Sequence, residues 1–213
     1  AVRRGDKLLP AAAIPLVYYT REPEVCAQMR LPDWAGLAFG GINNSAVKTV
    51  VKTVWEKWGR EAASDLLDRS LVTDMPIGAF QAVRQEQART ALVPSLYALR
   101  ADGQNAFLRT PQEGPVLIPS YLCARTSAPE WAARRVAEGI LCRELCDFYV
   151  TNGDLILFPD CTQLRSGQEG ERFCCPSAAW LDALARDDFY GLYREKFPAA
   201  IDPVKKIKEH PLV

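Results

Sequence analysis

Leu37-Ala38-Phe39-Gly40-Gly41-Ile42-Asn43-Asn44-Ser45 stands directly before the clearest helical pattern in the chain. Leu37 to Phe39 is a short apolar run ended by two glycines, which reads as a buried strand and a tight turn. Asn43, Asn44 and Ser45 are three good N-cap residue types in succession. Over 46–60, Val47, Val50, Val51, Val54, Trp55 and Trp58 recur at spacings of three and four, so one helical face is apolar. Strand, glycine turn and amphipathic helix in that order are the unit from which α/β folds are assembled. Unpaired N–H groups at such a helix start, on the positive end of the macrodipole, attract an anion or a polar group. Gly41, Asn43, Asn44 and Ser45 are therefore candidate ligand donors, or else an ordinary N-cap behind a glycine turn. No Gly-Lys-Ser/Thr follows, so the segment is not a phosphate-binding P-loop.

The flanking segments continue the alternation. Residues 12–20 are β-branched and aromatic, a buried strand with Pro15 near its start. Residues 21–30 read as loop, and 31–37 as a short helical turn that Asp33 helps to begin. Residues 61–71 continue as a second helix, with Gly59 loosening the junction. A helix over 77–87, a short buried strand over 90–94 and an irregular or helical stretch over 96–100 follow. Strands are expected over 107–110, 116–119 and 121–123, with a turn at 111–114. Residues 129–150 read as one long helix with a core stripe of Trp131, Val136, Ile140, Leu141, Leu145 and Phe148, closed by Asn152-Gly153. Ser177 caps an amphipathic helix reaching 186.

Composition removes several function classes. The 213 residues are 48% hydrophobic and 24% charged, enough apolar chain for a substantial core. Lys plus Arg and Asp plus Glu are 26 each, and this balance argues against nucleic-acid binding, which relies on a basic excess. Lys205-Lys206-Ile207-Lys208 reads as a solvated tail. The longest uncharged stretches, 8–20 and 34–47, are shorter than the roughly 20 apolar residues of a spanning helix. No signal peptide is read, and Ala1 is compatible with a removed leader. A single histidine, His210, excludes multi-histidine metal sites and leaves histidine-based nucleophilic catalysis to a residue four places from the end. The expectation is a non-enzyme without a cofactor.

Seven cysteines are an odd number, so at least one thiol is free or pairs outside the chain. Cys142 and Cys146 share a helical face, and with Cys161, Cys174 and Cys175 they could build a zinc or iron–sulfur site. No Cys-x-x-Cys pair is present, and buried structural thiols are the simpler reading. Cys161 with Cys174 or Cys175 is a candidate disulfide in an oxidising compartment. Asp154, Asp160, Glu169 and Glu171 read as solvated acids, and Trp55 and Trp58 as core.

The order of these weak signals resembles the type II periplasmic solute-binding proteins, in their ferric-iron and related ABC-transporter branch. The resemblance runs from about residue 12 to residue 160. Ile14-Pro15-Leu16-Val17-Tyr18-Tyr19 resembles the family's hinge strand, and Leu31-Pro32-Asp33-Trp34-Ala35-Gly36-Leu37 its Pro-x-x-Trp-x-Asp-Leu segment, with Gly36 in place of Asp. Trp58-Gly59-Arg60-Glu61-Ala62-Ala63 is similar to its Gly-x-x-x-Ala turn, and the segment from Phe80 to Ala88 to its Ala-Val-x-x-Gly-Glu-Ala helix, here without the glycine. Ala91-Leu92-Val93-Pro94-Ser95-Leu96-Tyr97 matches the strand and ligand loop, Pro111-Gln112-Glu113-Gly114 the segment before the return crossover, and the segment from Ala128 to Gly153 the C-terminal helix pair.

What this implies is a three-layer α/β lobe on a mixed sheet, with an incomplete second lobe. Residues 1–15 would be an arm and the start of the hinge strand, and 16–118 the solute-binding-like lobe. Residues 119–160 would be helices of the partial companion lobe, and 161–213 a cysteine-containing extension. The implied function is capture of a small anionic or polar ligand, metal-linked or not, for ABC-type uptake or sensing. Gly41, Asn43, Asn44 and Ser45 would face Tyr97 across a cleft that closes through Tyr18, Tyr19, Pro115 and Pro119. Iron-binding members carry two adjacent tyrosines where this chain has Leu96 and Tyr97, which leaves a hard ferric ion poorly served. The absent first-lobe strands imply an exposed apolar edge, covered by a second copy, an upstream domain, a partner such as an ABC permease, or a remodelled C-terminus. The implied location is periplasmic or extracellular; the odd cysteines keep a cytoplasmic alternative open. A cysteine-based metal or redox protein, a ligand-sensing effector module, and a ligand-free structural or interaction module remain the other classes.

Overall fold

The computed structural model describes residues 8–26, 28–101, 103–125, 127–152, 155–156, 173–184 and 186–198. Cys161, His210, the 205–208 patch, Gly153, Asp154, Asp160, Glu169 and Glu171 lie outside them. In chain order the elements are β1 (Leu8–Thr20), α1 (Pro23–Cys26), β2 (Ala38–Gly40), α2 (Ser45–Arg69), β3 (Leu71–Thr73), α3 (Pro76–Arg84) and β4 (Thr90–Pro94). They continue with β5 (Phe107–Arg109), β6 (Val116–Cys123), α4 (Glu130–Ile140), α5 (Arg143–Thr151), β7 (Leu155–Ile156), α6 (Ala178–Ala183) and α7 (Arg186–Lys196). Single 3₁₀ turns occupy Leu31–Asp33 and Ser95–Arg100.

The sheet order is β3-β2-β4-β1-β5, with β6 and β7 also paired to β1. β2 runs parallel to β3 and β4, whereas β1 is antiparallel to β4, β5, β6 and β7, so the sheet is mixed. Side chains alternate across it with the period of two that strand geometry imposes. Tyr18, Phe39 and Leu92 face α2, whose Val47, Val50, Val51 and Val54 are fully buried. Tyr19, Ala38, Ala91 and Val93 face α3, packing with Ala79, Phe80 and Val83. Helix, sheet and helix make the three layers expected, and the apolar stripe read over 46–60 is the face that α2 buries.

The helices read over 46–60 and from 61 onward meet at Gly59 as expected: its φ of +94° and ψ of 168° are non-helical, so α2 is two helices joined at a kink. The structure corrects four local expectations. Leu71–Thr73 is a strand, not the end of a helix; three residues are too few for a period to show. Asp33 ends its 3₁₀ turn instead of opening it, and its carboxylate holds Arg30 at 2.6 Å and 2.9 Å. The helix expected over 129–150 is two, broken where Cys142 is extended (φ −65°, ψ 156°) and becomes the N-cap of α5. The stripe expected to be core there is exposed: Trp131 is 75%, Val136 60% and Phe148 59% accessible, and α4 buries no residue.

β1 has two halves with different neighbours. From Leu16 to Thr20 it is flanked by β4 inside the lobe. From Leu8 to Pro15 its partners are β6 and β7, with a register shift between Pro10 and Ala12. Pro10 and Pro15, which lack an N–H to donate, fall in this outer half. The outer half and β6 form an antiparallel ribbon to which β7 adds a third strand at Ala12 and Ala13, and α5 lies against β7. Among the described residues no helix is long and apolar enough to cross a membrane.

At the inner end of β1 the buried hydroxyls of Thr20 and Thr90 share a hydrogen bond of 2.7 Å, and Thr20 Oγ1 also accepts from Glu22 N at 2.9 Å. Thr20→Val strands both partners and is expected to cost about 1–3 kcal/mol in urea unfolding. Thr90→Val leaves Thr20 its bond from Glu22 N and should cost less. Equal losses would show that the pair does not carry the strand end.

Candidate functional site

The connections around β2 place a topological switch point. From β2 the chain passes through α2 to β3 on one side. From β3 it passes through α3 over the other face to β4, on the opposite side of β2. The strand order therefore reverses between β2 and β4, and α2 and α3 leave opposite faces of the sheet. Ligands of open α/β sheets bind outside the carboxyl ends of strands at such a switch point. Two segments meet that description: residues 41–44, after β2, and the Ser95–Arg100 turn, after β4.

The 41–44 loop is held by backbone bonds. Gly41 N donates to Thr73 O at 3.0 Å, which ties the loop to the end of β3, and Asn44 N donates to Gly41 O at 3.0 Å. Asn44 is the N-cap of α2; its Oδ1 accepts from Ala46 N at 2.8 Å. Of the three cap types read from sequence, the second takes the role, and Ser45 opens the helix. Gly41 has φ +105°, and a Cβ there would stand 2.2 Å from Asn44 Oδ1, so the turn admits glycine for two independent reasons. Asn43, Asn44 and Ser45 are exposed. The first turn of α2 carries no carboxylate, and Lys48 follows one residue beyond Val47. Burial lowers the Lys48 ammonium below the usual lysine range, and its Nζ stands 5.5 Å from the Tyr193 ring centroid.

Tyr97 is 9% exposed, stacks on Phe80 at 5.1 Å and lies under the Arg100 guanidinium at 5.4 Å. Burial raises its phenol above the usual tyrosine range, so it is a neutral hydroxyl at neutral pH. Tyr18 and Tyr19 are in the lobe interior, Tyr18 edge-on to Trp34 at 5.3 Å and Tyr19 stacked on Phe80 at 4.5 Å. Pro115 directly precedes β6, and Pro119 stands opposite Ala13 on the ribbon.

One residue that sequence reasoning left out reaches this loop: Tyr193 of α7 donates its hydroxyl to Ile42 O at 2.6 Å. Its ring is buried against Phe189 at 5.7 Å, and burial raises its phenol. The signal was present as Phe189 and Tyr193, four apart on one helical face.

The described cysteines form no disulfide with one another. Cys142 caps α5 and Cys146 follows one turn later with its thiol 3.6 Å from Leu141 O. Cys174 is buried beside β6, where its N donates to Pro115 O and its O accepts from Leu117 N. Burial raises the Cys26 and Cys174 thiols. Among the described residues no three His, Cys, Asp or Glu side chains gather as a metal site.

A mixed sheet of this order, flanked by helices on both faces and continued as an antiparallel ribbon, is the fold of the type II periplasmic solute-binding proteins. The solved structures it resembles include a periplasmic thiamin binding protein (14% identity, 91% of this chain and 67% of that one, TM-score 0.63). Iron-bound HitA from Pseudomonas aeruginosa gives 16% identity over 90% of this chain and 69% of its own, with a TM-score of 0.64. A two-component system protein that mediates signal transduction gives 10% identity, 88% and 69% coverage, and a TM-score of 0.69. At such identities the likeness is one of fold. No family model and no curated protein matches the sequence.

Gly41→Ala combines a disfavoured φ with a clash against the Asn44 side chain that caps α2, and is expected to lose about 1–3 kcal/mol in thermal or urea unfolding. Asn44→Ala should lose about 1 kcal/mol through the cap, and Asn44→Asp should retain it. A Gly41→Ala protein as stable as the parent would show that the loop is not held as described.

Proposed function

We propose that this chain is a solute-binding module, not an enzyme, that takes a small anionic or polar ligand in the crevice between the 41–44 loop and the Ser95–Arg100 turn. The observation that carries this reading is the coincidence of the β2/β4 switch point with the N-terminus of α2, whose first turn holds no acid and carries Lys48. A cation at the positive end of a helix is unfavourable for the helix alone and favourable for a bound anion. Gly41, Asn43, Asn44 and Ser45 would present donors, with Tyr97 on the opposite wall. The ribbon of β1 and β6, with Pro115 and Pro119 on it, would carry the hinge motion, and Tyr18 and Tyr19 would anchor it in the lobe.

Among the similar structures, one binds thiamin, one is iron-bound, and one from Trichodesmium is in complex with iron and citrate. Leu96 and Tyr97 offer a single phenol, whereas a bare ferric ion favours several anionic oxygens. An oxyanion or carboxylate, alone or chelating a metal, suits amide, hydroxyl and ammonium donors better. ABC-type uptake or sensing in the periplasm is the role this reading implies.

Thermal shift measurements with citrate, ferric citrate, thiamin and inorganic phosphate test it. At about 100 times the dissociation constant a ligand adds roughly 2.7 kcal/mol, some 5–10 °C for a chain of this size. Citrate or phosphate is expected to raise Tm, and Lys48→Gln to reduce that shift without lowering the Tm of the free protein. No shift with any of the four would overturn the reading.

A further inference from the structure

α4 spans 11 residues and buries none of them. A lone helix shorter than roughly 12–15 residues is marginal in water, so α4 needs a surface to lie against. Its two sides differ. Ala132, Ala133, Val136, Ala137 and Ile140 make an apolar side. On the other side Glu130, Trp131, Arg134, Arg135 and Glu138 line one open recess of about 490 Å³. Trp131 and Val136, five residues apart, stand about 140° from one another round the helix axis. Trp131 therefore belongs to the charged side, where it is 75% exposed. Tryptophan and arginine together are the residue types enriched where proteins dock. Arg134 holds Glu130 at 3.0 Å, and among the described ion pairs Arg135 takes part in none.

The charges select the occupant. A uniformly acidic partner would meet Glu130 and Glu138, and a uniformly basic one Arg134 and Arg135. The pattern instead complements itself. Glu130 and Arg134 lie on one flank of the charged stripe, Trp131 and Arg135 on the other. A two-fold axis through the midpoint of Ala132 and Ala133 sets a second α4 antiparallel and keeps like flanks together. Glu130 then comes level with the second copy's Arg134, to within about 1.5 Å along the axis, and Trp131 with the second copy's Arg135. Each pairing occurs twice. One flank becomes an alternating square of two carboxylates and two guanidiniums, and the other carries two guanidinium–indole stacks. We propose that this face of α4 docks antiparallel on the same face of a second copy of this chain. One pair of short helices is a small contact, so the dimer is weak and forms at high protein concentration. The apolar side with Val136 takes no part. The dimer is thus independent of what lies against that side, and of any solute at the β2/β4 switch point.

Sedimentation equilibrium of the intact chain over a concentration series tests it. A reversible monomer–dimer equilibrium that weakens with added salt is expected. Glu130→Arg and Arg134→Glu each place like charges across the contact, and each protein alone is expected to stay monomeric. An equimolar mixture of the two is expected to form a heterodimer. Unlike charges then face each other between the copies, while the pair within each helix remains broken, so helix stability does not explain the recovery. Trp131→Ala is expected to weaken the unaltered dimer about tenfold. A parent chain that is monomeric throughout the series overturns the proposal. So does a dimer that both single variants retain, a mixture that stays monomeric, or a Trp131→Ala protein that dimerises as tightly as the parent.

Discussion

The antiparallel pairing of β1 is the constraint from which the remaining architecture follows. One 13-residue strand closes the lobe sheet against β4 and β5 and builds the ribbon with β6 and β7. Its inner half is buried on both faces, which fixes Tyr18 to the α2 layer and Tyr19 to the α3 layer. A slip of one residue would exchange those two rings and expose both layers. The outer half has its two prolines where a missing N–H is tolerated. Because β1 must satisfy both halves in one register, the body and the ribbon cannot be repacked independently.

The C-terminal helix belongs to the same arrangement. Phe189 and Tyr193 of α7 are buried in the α2 layer, Lys196 holds Asp68 at 2.6 Å, and Ser177 donates to Glu56. Tyr193 then reaches past α2 to the carbonyl of Ile42. A residue some 150 positions downstream in sequence thus supports the turn that begins the helix. The loop is held at three points by different elements: β3 through Thr73, its own cap through Asn44, and α7 through Tyr193. A loop restrained in this way loses little entropy when a ligand orders it, the condition a preformed donor site requires.

Much of the lobe was legible in the sequence because its elements are long or strongly patterned. The valine stripe of α2, the aromatic run of β1 and the Asn-Asn-Ser cap each report one local rule, and those rules agree. The turn before α2 could be located because a glycine pair ahead of three N-cap residue types marks a helix start. β3 was illegible: three residues adjoining a helix show no period. The break between α4 and α5 was also missed, since 129–150 keeps helical spacing through it and only the backbone at Cys142 departs. Tyr193 could be read as apolar helix face but not as a donor to Ile42, because no local rule connects residues that far apart.

The stripe of Trp131, Val136 and Phe148 separates two questions that periodicity joins. Spacing reports which residues share a face, and α4 and α5 obey it. It does not report what the face meets. In α2 the same kind of stripe faces a sheet inside the chain and its four valines are fully buried; in α4 none of the described residues covers it. The similar solved structures are longer, this chain spanning 67–71% of them, so the comparison fold contains segments with no counterpart here. An apolar face of that extent on a chain of zero net charge has little electrostatic repulsion to keep copies apart. The physical character of the ribbon end is therefore set by what lies against α4 and α5, while the crevice end is set by residues within the lobe itself.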